Sequence, residues 1–292
     1  MRAKNQQRDR SHGGAGNVRR WSAVASSVAA ILPLLAPVNA SGKPLCMRWL
    51  ERDFALASRK IFDASNRKTP RDAFNVLREP FGQPDASSFV FTNRTRKGQV
   101  SHLLLVLPGS AFHPAYLLEN IERAVPARTE VAVFEYPYLQ PGVDPGAAFV
   151  ASDEIVRRIA SGLAIYRQRH GYEKVGIYAS SMGASLAAGL LQSQVRIDFL
   201  VLDGVQETAP MPIVCSRRGW LKDILPPLLG ALPRVILISN RNDLQERIRA
   251  LRKIPSTDLF SVVELDAEHP WEDPADVEPR VATLQKIFSP LL

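Results

Sequence analysis

One stretch constrains this chain more than any other. Residues 174–191 read Lys-Val-Gly-Ile-Tyr-Ala-Ser-Ser-Met-Gly-Ala-Ser-Leu-Ala-Ala-Gly-Leu-Leu. The run begins apolar and β-prone, from Val175 to Ala179, and ends as a small-residue helix, from Gly183 to Leu191. Between the two sits Ala179-Ser180-Ser181-Met182-Gly183, a very tight turn that carries a hydroxyl. Such a turn forces its central residue into a strained conformation, and the residues two before and two after it must be small to avoid collision. Around Ser181 those positions are Ala179 and Gly183; around Ser180 they are Tyr178 and Met182. The turn therefore selects Ser181, with Ser180 as a supporting neighbour. The rival reading of this stretch alone is a helix start capped by serine.

Strand and helix alternate along most of the chain. Ser88 to Thr92 and Val100 to Leu107 read as strands joined by a hairpin turn at residues 94–98. The run Leu103-Leu104-Leu105-Val106-Leu107 is continuously apolar, as a strand buried on both faces requires. A helix is expected from about Pro114 to Val125, a strand from Thr129 to Phe134 and a long helix from about Ala147 to His170. After the 174–191 unit come short strands at Phe199–Leu202 and Val235–Ile238, a helix from Leu244 to Arg252, a strand at Phe260–Leu265 and a closing helix from Val277 to Phe288. This order predicts an α/β protein with a mostly parallel sheet, helices on both faces, and an antiparallel hairpin at its start.

Three segments stand apart from that core. Residues 205–233 are irregular, with several prolines, Cys215 and Trp220, and have the composition of a short lid-like insert. Residues 41–86 read as a helical N-terminal extension: apolar points at Trp49, Leu50, Phe54, Leu56 and Phe62 give helical periodicity, and Thr69-Pro70 opens a second helix leading into Phe74 and Leu77. Residues 1–40 have the shape of a signal peptide, a basic region to Arg20, an apolar stretch from Trp21 to Val38, and Val38-Asn39-Ala40 as a cleavage site. The core domain is thus expected at 87–292.

The expected location is the periplasm or the exterior. The alternatives are an uncleaved membrane anchor and, more weakly, a mitochondrial-type transit peptide. Two prolines in the apolar stretch, Pro33 and Pro37, favour cleavage and hence no stable membrane span. Arg19-Arg20-Trp21 partly matches a twin-arginine signal.

Charge narrows the function classes. The formal net charge of +8 over 292 residues invites a nucleic-acid reading, but residues 1–40 hold six basic residues against Asp9, a net of +5. The remainder is only mildly basic, at +3, and has no basic stripe interleaved with aromatics. No nucleic-acid partner is expected. Two cysteines, Cys46 and Cys215, and five scattered histidines give no metal-ligand spacing. The cysteines pair as one disulfide or stay as two buried thiols; spacing leaves both open.

In sheets of this kind function collects at the carboxyl ends of the strands. Ser181, Asp243 and His269 follow three separate strands in that order. With the turn at Ala179–Gly183, a nucleophile elbow carrying Ala where Gly is commoner, the pattern over residues 87–292 resembles the α/β-hydrolase superfamily. It does not reach one subfamily.

The resemblance implies Ser181 as nucleophile, His269 as its base and Asp243 as the acid that orients the imidazole. It implies an oxyanion hole from the backbone N–H of Met182 and, in the loop Pro108-Gly109-Ser110-Ala111, of Ser110. Each role has a plainer rival. Asp203 also follows a strand, as a second candidate acid or a turn residue. The rival for His269 is a polar loop residue, and its place after the last strand favours the base. His113, Tyr136 and Trp220 are candidate pocket residues, with an exposed helix start the rival for His113, and core packing the better reading of Tyr136, Tyr138 and Trp220.

The implied activity is that of an exported serine hydrolase acting on a small-molecule carboxylic ester or thioester, without metal or dissociable cofactor. A peptidase or amidase stays open, since the three residues do not encode the leaving group. The reading from another class is a non-catalytic hydrolase-fold protein that binds a ligand or partner at the cell envelope.

Overall fold

The computed structural model describes residues 56, 58–60, 62–63, 76–82, 88–93, 100–110, 114–140, 142–143, 152–193, 195–205, 221–228, 234–244, 246 and 248–292. The expected signal peptide, both cysteines, and most of the lid-like insert lie outside these residues. Among the described residues eight strands form one sheet in the order β1-β2-β4-β3-β5-β6-β7-β8. They are β1 (Val76–Pro80), β2 (Phe89–Asn93), β3 (His102–Leu107), β4 (Thr129–Glu135), β5 (Lys174–Ser180), β6 (Phe199–Asp203), β7 (Arg234–Asn240) and β8 (Phe260–Leu265). The helices described from end to end are α1 (Pro114–Glu122), α2 (Ser152–His170), α3 (Met182–Leu191), α4 (Leu221–Leu228) and α5 (Val277–Phe288).

The six strands from β4 to β8 in sheet order run parallel, and β2 lies antiparallel to both β1 and β4. Alternate residues of each central strand feed opposite cores. Leu103, Leu105 and Leu107 of β3 join Ile159 and Leu163 of α2 and Leu186 and Leu190 of α3. Leu104 and Val106 join Leu117 and Ile121 of α1 and Leu284 and Phe288 of α5. Every residue of β3 is buried, and each such apolar side chain contributes roughly 1.5–3 kcal/mol on leaving water. That gain explains why β3 occupies the middle of the sheet.

Three expectations are corrected. β2 and β3 do not form a hairpin: β4 lies between them, with Val90 opposite Phe134 and Leu105 opposite Ala132. β2 alternates between half-buried and buried positions and suits the outer region of the sheet; β4, buried at six of seven positions, suits the place next to β3. β2 pairs instead with β1 and β4, antiparallel to both, so Leu77, expected on a helix of the N-terminal extension, belongs to a strand of the sheet. Finally, among the described residues no helix spans 244–252. The described residues there are turns ending in a one-turn 3-10 helix, Leu251–Lys253. The carboxylate of Glu246 turns back to accept from the backbone N–H of Asn240 (3.1 Å) and the Ser239 hydroxyl (3.3 Å), which ties the segment to the end of β7.

Part of the N-terminal extension is visible. Leu56, residues 58–60 and residues 62–63 are helical, and Phe62 enters the core on the α2 face. Arg59 donates to the carbonyl of Gln140 (2.8 Å). Among the described residues no helix is long and apolar enough to cross a membrane.

Candidate active site

The turn between β5 and α3 has the geometry its small flanks permit. Ser181 has φ 51° and ψ −117°, a left-handed backbone that a residue with a side chain adopts only under constraint. Its N–H donates to the carbonyl of Asp203 (2.9 Å), and its own carbonyl accepts from Ala184 (3.1 Å). Gly183 is required by contact. A Cβ there would lie 2.0 Å from the carbonyl oxygen of Leu107, the last residue of β3. Helix α3 therefore starts hard against the neighbouring strand. Ser180 faces inward, fully buried, and its hydroxyl has no partner among the described residues. The two serines thus separate as the size of their flanks requires.

The structure brings Ser181, His269 and Asp243 together. Nε2 of His269 lies 2.8 Å from Oγ of Ser181, and Nδ1 lies 2.8 Å from Oδ2 of Asp243. With Asp243 ionised, Nδ1–H donates to the carboxylate, which leaves Nε2 to accept from the serine hydroxyl. The Asp243 and His269 side chains are 1% and 7% exposed, so their contact is shielded from solvent. Burial pulls the His269 pKa down. The hydrogen bond and charge of Asp243, reinforced by Glu272 and Asp203, outweigh burial, and the net shift is upward.

Both expected oxyanion donors lie among the described residues. Met182 is the first residue of α3, where a backbone N–H has no acceptor within the helix and the helix dipole is positive. Ser110 is half-buried, three residues past the end of β3. Two stacked tyrosines from the segment after β4 hold that loop. Tyr136 donates to the carbonyl of Pro108 (2.7 Å), and Tyr138 donates to the carbonyl of Ser110 and approaches Sδ of Met182, each at 3.4 Å. Tyr136 is fully buried and serves as a brace behind the loop rather than a pocket wall. His113 and Trp220 lie outside the described residues.

Asp203, the rival acid, is not beside the imidazole nitrogen. Fully buried at the end of β6, it accepts from Arg280 (2.6 Å), Tyr178 (2.7 Å) and Asn240 (2.8 Å). Sequence reasoning missed Arg280. Its one signal is position: on α5 it lies on the same stripe as Leu284, Ile287 and Phe288, where an apolar residue belongs.

Together these groups place a serine hydroxyl against an imidazole that is held by a buried carboxylate. Acyl transfer is the chemistry this arrangement can perform. No family model matches the sequence, and no curated protein is significantly similar to it. Solved structures do resemble it. A cold-adapted esterase from an Arctic intertidal metagenomic library superposes with a TM-score of 0.53 at 16% identity, over 77% of this chain and 98% of that one. An esterase of Pyrococcus furiosus gives 0.51 at 13% identity, over 76% and 95%. Strand order, elbow and neighbours agree: the chain has the α/β-hydrolase fold.

Proposed function

We propose that this protein is a serine hydrolase that cleaves a carboxylic ester or thioester through an acyl-enzyme on Ser181. The observation that carries the reading is the unbroken Ser181–His269–Asp243 chain of contacts, 2.8 Å at each step, with the serine on a strained turn. In this reading Oγ of Ser181 attacks the acyl carbon as its proton passes to Nε2 of His269. The developing oxyanion takes hydrogen bonds from the N–H groups of Met182 and Ser110; losing one such donor costs about 3 kcal/mol of transition-state stabilisation. The imidazolium, stabilised by Asp243, returns the proton to the departing alcohol or thiol. Water then repeats the sequence on the acyl-enzyme, and the acid leaves. The description of both structural neighbours as esterases supports an ester substrate. Export is part of the proposal: residues 1–40 act as the signal, and the mature chain begins at Ser41.

The test is covalent labelling. A fluorophosphonate probe is expected to label the folded protein stoichiometrically, and Ser181→Ala to abolish the labelling. A folded wild-type protein that takes up no probe refutes the hydrolase reading. A panel of short- and long-chain esters, thioesters and peptide amides then identifies the leaving group. N-terminal sequencing of protein recovered from the envelope or medium tests the cleavage site.

A further inference from the structure

The buried group around Arg280 touches the chain next to every member of the site. The guanidinium donates through one nitrogen to Oδ2 of Asp203 (2.6 Å), and through the other to Oδ1 of Asn240 (3.1 Å) and the carbonyl of Glu268 (3.2 Å). Asn240 closes the ring by donating to Oδ1 of Asp203 (2.8 Å). Tyr178 donates to Oδ2 of Asp203 (2.7 Å) and accepts from the indole N–H of Trp271 (2.9 Å). The carbonyl of Asp203 holds the N–H of Ser181. Asn240 ends the strand that leads to Asp243. Glu268 immediately precedes His269, and Trp271 follows two residues later.

His269 is therefore pinned on both sides by one cluster. On one side its neighbour's carbonyl is bound by Arg280. On the other, Trp271 has φ 67°, a conformation costly for a bulky residue, while its indole is bonded to Tyr178 and lies against the guanidinium, 5.6 Å from ring centre to Cζ. A buried ion pair adds little net stability compared with apolar packing of the same volume. Its distinctive capacity here is reach: a planar fork addresses Asp203, Asn240 and a main-chain carbonyl at once.

We propose that Arg280, with Trp271, is a positioning residue that sets the imidazole of His269 against Ser181. The proposal rests on the hydrolase reading of the site.

The test compares full-length wild type, R280K and W271F by melting temperature, fluorophosphonate labelling rate and ester kinetics. R280K keeps a positive charge opposite Asp203 but loses the fork. It is expected to label about 100-fold more slowly, as a misplacement of about 1 Å costs, with kcat reduced and KM unchanged. The low-field proton resonance of the His269–Asp243 hydrogen bond is expected to weaken with it. W271F loses one N–H and no charge, and is expected to label about 10-fold more slowly, the size of one lost hydrogen bond. Folded R280K that labels at the wild-type rate overturns the proposal. Where R280K does not fold, a wild-type rate in W271F overturns it. Failure of the hydrolase reading looks different: wild type itself takes up no probe at Ser181, and the positioning role falls with it.

Discussion

Replacing Gly183 by alanine tests the elbow without touching any reacting group. The new Cβ would sit 2.0 Å from the carbonyl oxygen, 2.6 Å from the carbonyl carbon and 2.9 Å from the Cβ of Leu107. Real Cβ atoms essentially never approach closer than 3.0 Å, so α3 and β3 must part by at least 1.0 Å. The obstacle is strand backbone, buried in the middle of the sheet, and it cannot swing aside. Overpacking of this kind costs about 1–3 kcal/mol, while the better helix propensity of alanine returns at most about 1 kcal/mol. The melting temperature is expected to fall by a few degrees, at roughly 2–4 °C per kcal/mol for a domain of this size. The larger effect falls on rate. Leu107 leads directly into the loop that carries Ser110, and Gly183 follows Met182, so both proposed oxyanion donors and Ser181 shift relative to one another. A displacement of about 1 Å is expected to slow ester hydrolysis and probe labelling by about 100-fold. Purified G183A is compared with wild type by thermal melting and labelling kinetics. A variant that melts higher and labels at the wild-type rate would show that the strand yields, and would refute the claim that contact, rather than helix flexibility, requires glycine here.

Other perturbations read the site in different ways. Because the folded pKa of His269 is raised, the imidazole protonates early on acidification; kcat/KM is expected to fall through a midpoint above pH 6.5 as pH drops. In D243N the hydrogen bond and charge of Asp243 vanish, leaving only the charges of Glu272 and Asp203 against burial, so kcat is expected to drop by about 10⁴ and the midpoint to move to lower pH, both visible in a pH–rate profile. Gly204 has φ 61° and would place a Cβ 2.5 Å from Pro270; G204A is expected to push the His269 loop outward and cut the labelling rate, and an unchanged rate would count against that contact. Burial, with the nearby charge of Asp243, lifts the Glu246 pKa from 4.5 to about 7 against its own hydrogen bonds. Its contribution to stability is full below pH 4.5 and is lost as pH rises through about 7. E246Q is therefore expected to flatten the decline in melting temperature between pH 5 and 8, by roughly 1–2 kcal/mol after allowance for partial exposure.

The parts of this molecule legible in its sequence are those whose physics is local. The continuous apolar run of β3 and the small residues around Ser181 each satisfy a requirement met within a few residues. Closing helix α5 starts and stops where its pattern does, at Val277 and Phe288. What was not legible depends on partners far along the chain. β2 and β3 are neighbours in sequence with a turn-like link, yet β4 displaces β2 from β3 because it buries more apolar surface there. The segment after Asp243 has helical spacing, but Glu246 is drawn back to the end of β7. Arg280 looks like a solvated charge until Asp203, 77 residues earlier, is brought against it.

The choice between Asp203 and Asp243 shows the same division, and a pair of variants decides it. Both acids follow strands before the final histidine, so chain order alone fits either. Position relative to the sheet does not. Asp203 is the last residue of β6, paired in register with Ser180, and so lies at the level of the strands. Asp243 lies three residues past the end of β7, and His269 four past β8, both in loops that clear the rim. Asp203 also has three donors of its own, one of them a buried guanidinium. D203N would strip Arg280 of the one carboxylate it is hydrogen-bonded to among the described residues, at a cost of about 3–5 kcal/mol. That corresponds to a melting temperature roughly 6–20 °C lower, with probe labelling retained in the fraction that stays folded in the cold. D243N is expected to do the reverse, melting near the wild-type temperature while labelling is lost. A stable, inactive D203N beside an active D243N would make Asp203 the working acid and the observed His269–Asp243 contact incidental.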